Sequence, residues 1–364
     1  MPAASSESRA SFPFGNIARL HEARLLSLTV PRRYGGGESG LRLAAELVRE
    51  IGRGCASTAL VLAMQLMHQK LLASNLRWPE GLAARVAIDA AERGALVNAL
   101  RAEPALGTPA RGGLPATVAR QTPRGWSLSG RKIYVTGAPA LSWLLVWART
   151  DHAEPLVGNF LVPATADGVS VVETWDQLGL RASASHDVVF EDVSLPEDHA
   201  VDVRPVGSWR ERDPWQAVWN ALLIGAVYTG VAEAARDWLV RFLTERVPTN
   251  LGQPLARLPR MQEALGAIEA RLLVNHHLIA THAAQTDADT PPLIPDSNLI
   301  KSVLAESAIA VVEQAVQLAG NHALSRANPL ERYLRDVLCA RVHTPQADSA
   351  YAAAGRAALG AEGD

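Results

Sequence analysis

The residues best placed to do chemistry are His343 and Thr344, in the stretch RDVLCARVHTPQADSAY. A neutral imidazole there can donate or accept a hydrogen bond and can act as a general base near pH 7. A threonine hydroxyl does not ionise usefully near neutral pH, so Thr344 can orient a proton but cannot remove one. The flanking residues frame the pair. Pro329 suits the first turn of a helix, and Glu331 near that start complements the helix dipole. Arg332, Arg335 and Asp336, at i, i+3 and i+4, share roughly one face, where ion pairs would tie helices together. Pro345 suits the start of a second, alanine-rich helix. The spacing predicts a helix over 328–340, an HTP turn, and a helix beyond it.

The other candidate groups read more simply. His68, in AMQLMHQK, lies on a helix that is apolar nearly all round. It either faces a pocket or is a core histidine bonded to a backbone carbonyl. His276 and His277 are adjacent on a helix and face apart, which makes a poor metal pair. Cys55 and Cys339 form neither a zinc spacing nor a disulfide framework, and each reads as a small buried hydrophobe. No metal centre is expected.

Composition narrows the class. The chain has 364 residues, 48% of them apolar, with 35 basic and 37 acidic side chains. That balance points to no nucleic acid and no anionic membrane surface. The N-terminal MPAASSESRASFPFG lacks the charged start and apolar run of a signal peptide, and no apolar run suggests a membrane span. A soluble cytoplasmic protein is expected.

Three regions follow from the periodicity. Residues 1–95 read as a helical domain, with LRLAAELVREIGRG at helical spacing, a Ser57–Thr58 cap signal before a buried helix, and Pro79 and Gly94 bounding another. Residues 96–205 hold short runs rich in Val, Trp, Phe and Thr, separated by Gly, Pro and Asp. With no helix-length pattern between them, an antiparallel barrel or sandwich is expected. Residues 206–364 read as a helical bundle, opened by one long helix from Trp215 and closed by the HTP region.

Helices, a β block and a bundle, with these words in this order, resemble the acyl-CoA dehydrogenase superfamily over about residues 24–358. LSLTVPRRYGG resembles its N-terminal loop, GWSLSGRKIYVTGAPALSWLLVWART the strands leading onto the flavin, LGLRASASHDVVFEDVSLP its second β signature, and KSVLAESAIAVVEQAVQLAGNHALSRANPLERYLRD its final bundle helices. The resemblance implies an α+β fold with an N-terminal helical domain, a central antiparallel β-barrel and a C-terminal four-helix bundle. It also implies a bound flavin and a homotetramer whose neighbouring subunits complete each flavin site. Tyr134 and Thr136 match positions packing against the isoalloxazine ring and bonding near its N5 edge. AEPALGTP (102–109) matches a loop usually reading TEPGAGSD; Thr108 can still donate to a phosphate, whereas Ala102 offers the flavin no side chain. Gln317, Gly320 and Asn321 match the loop toward a neighbour's pyrophosphate and adenosine, with Asn321 in place of a glycine. Arg246 matches an arginine that reaches the pyrophosphate, although the loop after it differs in length. Gln262 bonds cofactor or neighbour, or is solvated.

The family's usual carboxylate base falls at Thr344, and its alternative position on the long helix falls at Asn220. Neither is acidic; Glu211 and Asp213 would need a register slip. RDVLCARVHTP resembles instead the turn of the superfamily's two-component flavin monooxygenases, such as dibenzothiophene monooxygenase and p-hydroxyphenylacetate hydroxylase. These form a C4a-(hydro)peroxyflavin and present a histidine to it. On that resemblance His343, His68 and Thr344 form the catalytic set. Ser185 and His186 then chiefly fix the β domain, with Ser183 or Ser185 at the substrate mouth as the alternative. The flavin is FAD, or reduced FMN supplied by a reductase. Monooxygenation of a small apolar or aromatic substrate is the leading expectation. Acyl-CoA dehydrogenation with a non-standard base, served by an electron-transfer flavoprotein, is the alternative, and a catalytically silent flavin- or acyl-CoA-binding protein is the third reading.

Overall fold

The computed structural model of the chain describes Glu7 and residues 10–75, 77–106, 113–209 and 213–360. Thr108 and Glu211 lie outside the described residues. The N-terminal helices are α1 (Phe14–Glu22), α2 (Leu41–Gly54), α3 (Ala56–Ser74) and α4 (Glu80–Arg93). In α2 the buried residues Leu41, Ala44, Ala45, Val48 and Gly52 form one stripe, as an amphipathic helix requires. α3 is buried on nearly every side. The Ser57–Thr58 cap expectation is not met: α3 begins at Ala56 with Cys55 in the cap position and no side-chain cap bond. The two hydroxyls bond Glu7 and the Cys55 sulfur instead, because both lie inside the first turn. Gly94, at φ +67°, closes α4 in the left-handed conformation that glycine adopts without strain.

Eight strands follow: β1 (Leu96–Leu100), β2 (Val118–Thr122), β3 (Gly125–Val135), β4 (Leu141–Thr150), β5 (Leu156–Pro163), β6 (Val169–Val172), β7 (His186–Leu195) and β8 (Ala200–Pro205). They form one sheet in the order β6-β7-β3-β2-β4-β5-β8, with β1 on β4. The β2–β3, β3–β7, β4–β5, β5–β8 and β6–β7 pairings are antiparallel, as expected. β1 and β2 each pair β4 in parallel. The chain reaches β4 from β1 only after the β2–β3 hairpin, and so re-enters the sheet in the same direction.

The C-terminal bundle comprises α5 (Pro214–Glu245), α6 (Pro259–Asp287), α7 (Ile294–Ala319), the short α8 (Asn321–Leu324), α9 (Leu330–Leu338) and α10 (Ala347–Ala358). The helix expected over 328–340 begins at Leu330 and tightens into a 3₁₀ turn at Cys339–Arg341. α5 is the axis of the molecule. It packs on α2, α3, α6, α7 and α9, and a Cβ at Gly230 would stand 2.2 Å from the Arg49 carbonyl of α2. By length and composition α5 is apolar enough to cross a membrane, contrary to the expectation from the sequence, yet 89% of that window is buried inside the protein. One continuous apolar core joins the N-terminal helices, the sheet and the bundle, so the sheet's turns and the HTP turn are fixed by the same packing.

Candidate functional site

The HTP turn is braced from two helices. Tyr228 of α5 places its hydroxyl 2.7 Å from His343 Nε2. Asn220, two turns earlier on α5, donates to the Thr344 carbonyl at 3.0 Å. Lys301 of α7 donates to the carbonyls of His343 at 2.6 Å and Ala340 at 3.1 Å. The backbone of the turn and the ring of His343 are thus held by three side chains. Burial, with a smaller push from the Lys301 charge, lowers the His343 pKa to about 4, so the imidazole is neutral near pH 7. Burial likewise raises Tyr228 well above the usual phenol range, and its proton stays on. Because Tyr228 occupies Nε2, Nδ1 is the ring nitrogen left to meet a substrate.

Sequence reasoning missed Tyr228 and Lys301. Tyr228 stands inside an apolar helix run and reads as core. A lysine following Leu299 and Ile300 in the apolar run of α7 was the available signal for Lys301, since a buried lysine needs partners. Both positions expected for a carboxylate base carry neutral side chains, and one of them, Asn220, is bonded to the backbone of the other, Thr344. Asp213 caps α5, accepting from the Trp215 N–H at 2.9 Å, so it serves the helix start.

A second group forms at the turn after β3. Tyr134 sits at φ +58° and holds its ring 60% exposed, edge-on to Trp175 with centroids 6.2 Å apart. These two, with Pro104, Ile133, Thr174 and Ser185, line a cavity of about 360 Å³. Ser183 and Ser185 lie 2.8 Å apart, and Ser185 donates to the Thr136 hydroxyl at 3.2 Å, which leaves Thr136 its own O–H to donate. His186 Nδ1 accepts from the N–H groups of Thr174 and Trp175, fixing that wall. Asn98 of β1 donates to the Thr136 carbonyl at 3.0 Å. An outward aromatic face beside a free hydroxyl is a cradle that fits a flavin ring.

His68 lies behind this turn rather than with His343. Its Nε2 accepts the Ala99 N–H of β1 at 3.3 Å, and burial, then the charge of Arg101, lowers its pKa to about 4. It is a buried histidine anchoring a strand, bonded to a backbone N–H rather than the carbonyl expected. Gln317, Gly320 and Asn321 are exposed at the end of α7, and Arg246 is exposed at the end of α5. Gln262 donates to the Ala256 carbonyl.

Beneath the β3 turn lies a buried ion pair that the sequence reading did not single out. Lys132 and Glu103, 0% and 1% exposed, meet at 2.6 Å. Glu103 also accepts from Ala116 N, Thr117 N and Thr117 Oγ1, so it joins the start of the AEPALGTP loop to the strand beyond it. On the bundle side Asp336 accepts the Leu180 N–H at 2.8 Å, tying α9 to the sheet. Burial, then nearby Glu7, raises its pKa to about 7. Arg335 pairs with Glu331 of its own helix and donates to the Leu178 carbonyl at 2.9 Å, so arginine and aspartate both make the expected tie between elements. Cys339 is pushed up to about 12 by burial, and burial raises Cys55 too; neither thiol ionises readily.

An outward aromatic turn on the sheet and a bundle that braces a neutral histidine suit a flavin-dependent oxidoreductase. The comparisons agree. Family models described as acyl-CoA dehydrogenase N-terminal, middle and C-terminal domains match residues 1–75, 99–193 and 222–347. "Putative acyl-CoA dehydrogenase YdbM" of Bacillus subtilis (strain 168) is 34% identical over 351 residues, 96% of this chain and 90% of that protein. The chain belongs to the acyl-CoA dehydrogenase family. The mitochondrial short-chain specific acyl-CoA dehydrogenase of Rattus norvegicus is 27% identical over 349 residues, 94% of this chain and 81% of that one. Among solved structures, KijD3 in complex with FMN and dTDP-3-amino-2,3,6-trideoxy-4-keto-3-methyl-D-glucose superposes with a TM-score of 0.85 at 28% identity, over 100% of this chain and 90% of that one.

Proposed function

We propose that this chain is a flavin-dependent dehydrogenase of acyl thioesters in which His343, not a carboxylate, handles the proton. The reading rests on the Tyr228–His343 contact at 2.7 Å, together with family relatives named as acyl-CoA dehydrogenases. Tyr134, Thr136 and Trp175 would hold the flavin ring, which supplies the hydride acceptor when bound. Thr136 donates its hydroxyl to the ring edge. Gln317, Gly320, Asn321 and Arg246 reach a neighbouring subunit's cofactor in a homotetramer, which would account for their exposure. His343 keeps Nε2 on Tyr228 and presents Nδ1 to the thioester. With the ring proton on Nε2 and donated to the Tyr228 oxygen, the Nδ1 lone pair takes the proton from the carbon beside the thioester carbonyl. An electron-transfer flavoprotein then takes the electrons.

One observation favours a second reading, oxygenation of a small heteroatom-bearing substrate. Neither Asn220 nor Thr344 can take a carbon-bound proton, and oxygen transfer to a heteroatom requires none to be taken. The FMN and amino-sugar nucleotide in the KijD3 structure accord with it. The deciding experiment adds butyryl-CoA anaerobically to flavin-loaded protein. Loss of the oxidised-flavin absorbance supports dehydrogenation. An unchanged spectrum, with oxygen consumed only when reduced flavin is supplied, supports oxygenation and overturns the first reading.

A further inference from the structure

Lys301 is 2% exposed, and no carboxylate lies within ion-pair distance of it among the described residues. Its two partners are both backbone carbonyls, those of Ala340 and His343. The first belongs to the 3₁₀ turn that ends α9. Carbonyls at a helix end lack intrahelical partners and carry partial negative charge, so an ammonium is the suited donor. An apolar residue in the same place would avoid desolvating a charge. The placement of a lysine therefore calls for a reason beyond packing.

That reason lies in what the second carbonyl belongs to. His343 is held at its ring by Tyr228 and at its carbonyl by Lys301, while Asn220 holds the next carbonyl. Tyr228 and Asn220 are on α5, whereas Lys301 reaches the turn from α7. Removing Lys301 leaves a turn that can pivot about α5.

We propose that Lys301 is a positioning residue, which fixes the orientation of the His343 imidazole by clamping the His343 carbonyl to α7. This rests on the reading that the 343–344 turn carries the proton-handling group. The groups facing Lys301 are the two carbonyls, Glu306 on its own helix, paired with Arg341, and Gln346 and Asp348 across a cavity of about 420 Å³. His343 itself is charged only well below neutral pH, so a change at His343 near pH 8 must come from a neighbour. Burial lowers the Lys301 pKa to about 8.

The test follows the His343 ring nitrogens by NMR in protein labelled with ¹⁵N-histidine. The signals are assigned by their loss in His343→Gln. In the unsubstituted protein they should shift as pH rises through about 8, as Lys301 loses charge and loosens its grip. In Lys301→Arg, whose guanidinium does not titrate there, that shift should vanish. A wild-type ring insensitive to pH in this range, or an arginine variant that keeps the shift, overturns the proposal. In Lys301→Met, turnover should fall about tenfold with little change in KM, and Lys301→Arg should restore part of it. An intact His343 shift with no flavin bleaching by butyryl-CoA would sink the dehydrogenase reading and leave the clamp standing.

Discussion

Tyr228 and His343, 115 residues apart in sequence, share a hydrogen bond of 2.7 Å between a buried phenol and imidazole Nε2. The direction of this bond follows the imidazole tautomer, and a basic Nδ1 requires the ring proton on Nε2, donated to the phenol oxygen. Tyr228→Phe should cost about 1–2 kcal/mol of stability by leaving Nε2 unsatisfied. It should free the ring to exchange tautomers and lower turnover while leaving flavin binding intact. Thermal unfolding and a flavin titration check this. Lost flavin affinity would mean that the contact supports the cofactor site instead.

Stability should fall on acidification from pH 6.5 to 4. His68 and His343 both have pKa values lowered from 6.5 to about 4 by burial. The unfolded chain binds more protons in that window, so the stability they allow is present above pH 6.5 and lost as pH falls through 4. Each contributes roughly 3 kcal/mol to the loss. Asp336 acts oppositely: raised from 3.8 to about 7, its contribution is present below 3.8 and lost as pH rises through 7. Two histidines outweigh one aspartate. Urea midpoints at the two pH values check the sign, and His343→Gln should remove most of the difference, because His68 and Asp336 then nearly cancel. A midpoint that rises on acidification would mean that Asp336 dominates.

Much of the architecture was legible because it rests on periodicity. The buried stripe of α2, the valine-rich strands and the long α5 announce themselves through patterns of 3.6 and 2. The turn at Tyr134, proposed to face a flavin, was singled out through a family word. The brace on His343 was not, because its members lie far apart in sequence. Lys301 meets carbonyls 39 and 42 residues later, and no local pattern encodes that. Lys132 could have been found. β3 buries Trp126, Leu128 and Lys132 on one side, and a lysine in an inward register implies a buried anion.

Tyr134 offers a direct check of the cradle. Its positive φ of 58° is a conformation few side chains adopt, and its ring is mostly exposed. Tyr134→Gly should leave the unfolding midpoint nearly unchanged, since glycine accepts that backbone freely. It should weaken flavin binding up to about tenfold, the size of one lost aromatic contact. Fluorescence quenching of added FAD and FMN measures the change and also shows which flavin binds more tightly. Unaltered affinity would remove Tyr134 from the cofactor site.

The Lys132–Glu103 pair makes the sharpest stability prediction. Desolvation pulls the Lys132 pKa down to about 8 despite the pair. Burial opposes ionisation of Glu103 as well, yet the bonds from Lys132 and Thr117 hold its pKa below the usual carboxylate value. Lys132→Met strands a buried carboxylate and should cost about 3–5 kcal/mol. Adding Glu103→Gln removes the stranded charge and keeps an acceptor for one of the Ala116 and Thr117 N–H groups, which bond different carboxylate oxygens, so the double variant should recover more than half of that loss. Glu103→Leu in its place should recover less, because both N–H groups are then orphaned. The order of the three urea midpoints separates charge from hydrogen bonding. If the leucine variant proved the most stable, Glu103 would be held for its charge alone, and its bonds to Ala116 and Thr117 would contribute nothing to the loop below the flavin turn.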